Sequence, residues 1–141
     1  MGRRASRELA MKLLYQLEIQ KDDKDEQVSA TLDGEDLAPN DKQYVLDTID
    51  GVLSNLSYID KIIEDNAKGW KIGRISKVDL SILRLGVYEI SFREDIPFNV
   101  SVNEAVELAK KFSAEDAGAF INGILGKVTR VSNAVSDGDK A

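Results

Sequence analysis

An all-α fold is predicted by three observations. Apolar residues recur at helical spacing along most of the chain, strand-like alternation of β-branched residues is scarce, and only Pro39 and Pro97 interrupt the sequence. The 141 residues, 43% hydrophobic and 31% charged, suit one ordinary domain with its own core rather than a disordered chain.

The first element spans 4–20, where Leu9, Ala10, Leu13, Leu14 and Leu17 share one helical face. Met11, Tyr15 and Ile19 form a second, narrower stripe on nearly the opposite side, so this helix is either sandwiched within its own protein or awaits a partner. Residues 21–40 are acidic and turn-rich and read as a connector with a short helix near 26–32. Helical spacing returns over 41–56 through Tyr44, Val45, Ile49, Val52, Leu53 and Leu56. Ser57, with Asp60 three residues on, predicts the N-cap of a short helix to about Ala67. KGWKIGRIS then breaks regularity at Gly69 and Gly73, as a hinge would.

From Ser76 to Arg93 apolar residues surround the helical wheel, the pattern of a buried central helix. Glu89 falls among Val78, Ile82 and Leu85 and needs a cation; Arg93, one turn on, is the local candidate. Pro97 ends this helix. Ser101 with Glu104, and Ser113 with Asp116, predict capping boxes for two further helices, the last running to about Val131. The expected organisation is a single domain over 1–141, with an N-terminal helical half over 1–68, a C-terminal half over 74–131, and a disordered tail over 132–141.

The chain contains no cysteine and no histidine, which excludes disulfides, thiolate nucleophiles, imidazole bases and the usual zinc ligands. NGILGK lacks phosphate-loop spacing, and the acidic run Asp22–Glu26 lacks the glycine and terminal glutamate of a calcium loop. Adjacent carboxylates such as Glu64 and Asp65 diverge on a helix and do not compose an acid–base pair. No signal-type or membrane-spanning stretch is present, so a cytoplasmic location is expected.

Net charge is −6, yet residues 1–12 carry Arg3, Arg4, Arg7 and Lys12 against Glu8, a local +3. Three arginines are by themselves a common solvated feature. Here they oppose the macrodipole at a helix start, so local stability does not explain them, and arginine offers bidentate phosphate contacts and base stacking. In the last helix Phe120, Ile124 and Val128 follow one line and Ile121 and Leu125 another, which sets Phe120 in the core or at its rim.

Three stretches, GRRASRELAMKLLYQLE, GWKIGRISKVDLSILRLGVYEI and DIPFNVSVNEAVELAKKFSAEDAGAFINGILGKV, together resemble the NusB family of bacterial transcription antitermination factors. The resemblance implies an all-helical fold of two small bundles with about seven helices, and no enzymatic activity or cofactor. It implies pairing with the small-subunit ribosomal protein NusE, binding of boxA RNA in nascent leader and ribosomal RNA transcripts, and support of elongating RNA polymerase. Position by position, Arg3, Arg4 and Arg7 match the family's RNA-binding start, and Asp116 and Phe120 match further RNA-binding positions. Glu8, Tyr15 and Asp79 match the side that meets NusE.

Ala5 and Ser6 interrupt the arginine run. Three arginines would give a log–log salt slope of only roughly −2 on single-stranded RNA, so the partner supplies much of the binding. Two alternatives remain: the NusB-like accessory domain of ribosomal RNA cytosine methyltransferases, whose catalytic domain is absent from this sequence, and a helical protein-interaction module. The apolar stripes also suit a homodimer that hides the RNA surface until the partner arrives.

Overall fold

The computed structural model describes residues 2–129. The expected tail over 132–141 lies outside the described residues. Among those described there are seven α-helices and one 3-10 turn: α1 Arg3–Ile19, α2 Lys24–Asp33, α3 Pro39–Ser54, α4 Leu56–Asn66, the turn Ile72–Arg74, α5 Lys77–Phe92, α6 Phe98–Phe112 and α7 Ala117–Leu125. Among the described residues no helix is long and apolar enough to cross a membrane.

The centre of the fold is α5. Ser76 caps its start by accepting from the Asp79 amide at 3.2 Å, and every residue from Leu80 to Ser91 is buried. It packs against α1, α3 and α4 and also against α6 and α7, so an all-round apolar helix is covered on every side. Packing against α3 is close: a Cβ at Gly51 would lie 2.1 Å from the Tyr88 ring, so only glycine lets the two helices approach this far. On α1, Leu13 and Leu14 join the core as expected. The second stripe divides, for Met11 is buried while Tyr15 and Ile19 are exposed.

Several local expectations are corrected. The short helix expected near 26–32 is present but longer: α2 has ten residues and is capped by the Asp23 carboxylate accepting from the Glu26 amide at 3.1 Å. Pro39 occupies the first turn of α3, where its missing amide costs nothing.

Ser57 lies inside α4, whose N-cap is Asn55, and Asp60 is turned to Arg84. Ser101 and Glu104 lie inside α6, which starts after Pro97. Ser113 precedes α7, but its hydroxyl donates to Asp79, and Asp116 makes no side-chain cap bond. In all three cases a residue spaced for a local cap is near a long-range partner, and the tertiary contact prevails. The last helix also ends at Leu125, short of Val131.

A partly buried ion-pair network ties α1, α4 and α5. The Arg84 guanidinium donates to Asp60 at 2.9 and 2.8 Å and to Glu18 at 2.7 Å. Burial by itself would raise the Glu18 carboxyl, but hydrogen bonds from Arg84 and Lys77 outweigh it and hold the group down at about 2.

Candidate nucleic-acid interface

The arginine-bearing start of α1 lies against α3, α5 and α6, and its three arginines meet different fates. Arg7 points inward and is 5% exposed. Its Nε donates to Glu89 Oε2 at 2.8 Å and its Nη2 to Oε1 at 3.2 Å. Ser101 Oγ donates to Oε1 at 2.8 Å and the Tyr44 hydroxyl donates to Oε2. Glu89, fully buried, therefore has its cation and both oxygens satisfied. Its partner is Arg7, not the expected Arg93, which forks onto Asp95 at 2.9 Å. Burial, and then the neighbouring Glu89 carboxylate, raise the Tyr44 phenol and keep it protonated as a donor.

Arg4 is exposed and forks onto Glu104, with Nε–Oε1 at 3.0 Å and Nη2–Oε2 at 2.7 Å. That hydrogen bonding holds the Glu104 carboxyl below its usual range. Arg3 is half-buried, its guanidinium carbon 4.4 Å from the Tyr44 ring centroid. A cavity of about 370 Å³ opens beside this cluster, lined by Arg4, Arg7, Glu8, Glu104 and Lys111 among others.

From there a strip of polar contacts runs along the end of α6. Glu8 accepts from Lys111 at 2.9 Å and pairs with Lys12 at 3.2 Å; the Lys111 hydrogen bond in particular lowers its carboxyl. Lys12 and Lys111 stand 5.1 and 5.3 Å from the Phe112 ring centroid. Ser113 then donates to Asp79, and Asp79 lines a second cavity of about 300 Å³ with Trp70, Arg74, Asp116 and Phe120.

The residues singled out from the sequence thus gather in two places joined by this strip: Arg3, Arg4, Arg7 and Glu8 at one end, Asp79, Asp116 and Phe120 at the other. Asp116 is exposed, and Phe120 is half-buried at the rim. Tyr15 lines neither cavity and sits on the outer face of α1 with Ile19 one turn on.

Sequence reasoning passed over Trp70 and its flanking cations. The available signal is KGWKIGR, three basic residues around the only tryptophan and no acid, in a stretch that carries the hinge and part of the family resemblance but no site residue in the sequence reading.

The NusB family model matches residues 4–130. A protein of Ruminiclostridium cellulolyticum described as transcription antitermination protein NusB is 64% identical over 130 residues, covering 92% of this chain and 90% of that protein. A solved structure of T. maritima NusB superposes with a TM-score of 0.81 at 35% identity, over 90% of this chain and 89% of that one. A structure of antitermination factors NusB and NusE in complex with double-stranded RNA superposes with a TM-score of 0.80 at 27% identity, over 88% and 92% of the two chains.

Proposed function

The chain belongs to the NusB family, and from that premise we propose that it is a non-enzymatic transcription antitermination factor. It pairs with NusE, binds the boxA element of nascent leader and ribosomal RNA, and helps RNA polymerase elongate through terminators. Its place is therefore the cytoplasm. The observation that carries this reading is the strip from Arg4 through Glu8 and Lys111 to Asp79, Asp116 and Phe120, with cations, an exposed carboxylate and a rim aromatic on one connected surface. Those are the groups that hold phosphates, accept from base amino groups and stack on unpaired bases.

In this reading the three arginines divide their work. Arg4 and Arg3 meet RNA, and Arg7 holds the α1 end in place through Glu89. Glu8, Tyr15 and Asp79 form the side turned to NusE.

Fluorescence anisotropy with a short single-stranded boxA RNA and a scrambled control, with and without NusE, tests the proposal. Sequence-dependent binding that strengthens with NusE is expected, and equal binding of both RNAs in its presence would refute boxA recognition. Tyr15→Ala is expected to weaken pairing with NusE by at least about fivefold by calorimetry at an unchanged melting temperature. Unaltered affinity would remove Tyr15 from that interface.

A further inference from the structure

The segment between α4 and α5 carries a basic surface that the arginine cluster does not include. Trp70, the single tryptophan, is 50% exposed and meets Phe120 edge to face, with centroids 6.0 Å apart and planes at 68°. The turn that presents it is ordered. Lys68 and Gly69 take φ of 46° and 92°, the Trp70 amide donates to Ala67 at 3.2 Å, and the Ile72 amide donates to Glu64 at 2.9 Å. A cavity lies on each side of the aromatic pair. One, of about 340 Å³, includes Lys68 and Lys127 in its lining and no carboxylate. The other, of about 300 Å³, is lined by Arg74, Asp79 and Asp116.

Lys68, Lys71, Arg74 and Lys127 are all exposed, and none of them makes an ion pair among the described residues. Over 66–77 the chain has four cations and no acid, in a protein of net charge −6. Uncommitted cations around an exposed aromatic pair complement a polyanion that also offers π faces, and single-stranded nucleic acid has both. A duplex buries its base faces and would leave the aromatics without a partner. The two cavities further give the surface a direction. Cations stand on both sides for phosphates, Lys68 and Lys127 on the carboxylate-free side and Arg74 on the other, where Asp116 can also accept from base amino groups.

We propose that Trp70 and Phe120 form a base-stacking platform for single-stranded RNA, with Lys68, Lys71, Arg74 and Lys127 holding the phosphates on either side of the stacked base. The inference rests on the RNA-binding reading above and extends its surface to the α4–α5 segment. A footprint that includes these four cations steepens the log–log salt slope by roughly 3 beyond what the arginines supply.

The lone tryptophan reports directly on the proposal. A labelled single-stranded boxA RNA is titrated into the full chain with NusE, reading label anisotropy for binding and tryptophan emission for stacking. Trp70→Phe, which contains no tryptophan, provides the background that removes any emission from NusE. Quenching that saturates together with anisotropy is expected. Trp70→Ala should bind about five- to a hundredfold more weakly, and Trp70→Phe should retain most of the affinity.

A normal anisotropy rise without quenching, with Trp70→Ala binding like the parent, would overturn the platform and leave RNA binding intact. No anisotropy rise even with NusE would remove the RNA reading and the platform together. A spectral shift on adding NusE alone, unaltered by RNA, would make the patch a protein-binding face instead. Should Trp70→Ala lose its helical circular dichroism, Lys68→Gln with Lys127→Gln at exposed positions tests the same surface. A salt slope unchanged in that variant would overturn the proposal.

Discussion

The α1 start and the α4–α5 segment both read as basic, yet their charges are differently engaged. At the α1 start, Arg7 is buried on Glu89, Arg4 is forked onto Glu104 and Arg3 lies over Tyr44. At the α4–α5 segment, Lys68, Lys71 and Arg74 stand exposed with no carboxylate attached. Counting positive residues ranks the arginine cluster first. Counting positive charge that is free to meet an anion favours the other region, because a cation already neutralised must give up one partner to gain another.

The largest test of this contrast is Glu89→Gln, which leaves Arg7 buried without its counter-charge. Removing one partner of a buried pair costs about 3–5 kcal/mol, so urea unfolding should show a loss of that size, and Arg7→Met combined with Glu89→Leu should recover most of it. A loss under about 1 kcal/mol would mean that water reaches Arg7 and that the α1 cluster is as open as the α4–α5 segment.

Acid titration probes the other buried arginine. Because the folded Glu18 carboxyl is held at about 2, below its ordinary 4.5, its contribution to stability is fully present above about pH 4.5 and is lost as pH falls toward 2. Glu18→Gln should flatten that part of the pH–stability curve, and an identical curve would dissociate Glu18 from Arg84.

Lys71→Gln with Arg74→Gln should leave stability within about 0.5 kcal/mol while reducing the salt slope of RNA binding by roughly 1.4. Arg4→Gln is expected to have the smallest effect on that slope, less than roughly 0.7, and to let the Glu104 carboxyl rise toward its ordinary value, visible by NMR titration. A larger slope change from Arg4 than from the Lys71–Arg74 pair would invert the comparison.

The elements that were legible in the sequence are those whose signal is a long run of side chains. The α5 pattern is apolar on every side over more than three turns, and only burial satisfies it; the α1 stripe is nearly as clear. What failed was every inference resting on one polar residue and a short spacing. Ser57, Ser101 and Ser113 all stand three residues before an acid, yet each acid or hydroxyl is near a distant group that sequence spacing cannot display. Glu89 shows the same limit: its need for a cation was evident from its neighbours on the wheel, while the cation came from 82 positions away. At the interface the residue types were visible and their engagement was not, since exposure and ion pairing are set by the packed helices.

The Arg4–Glu104 and Arg7–Glu89 contacts also carry a timetable. They join residues 100 and 82 positions apart, so α1 is the first helix to be synthesised and among the last to gain its polar partners. At about 5–20 residues per second, Arg4 waits roughly 5–20 s for Glu104 to be made. During that interval the emerging chain presents its arginines unneutralised, next to a ribosome whose RNA backbone exposes many phosphates. Arrival of α5 and α6 closes that window by giving Arg7 and Arg4 their carboxylates.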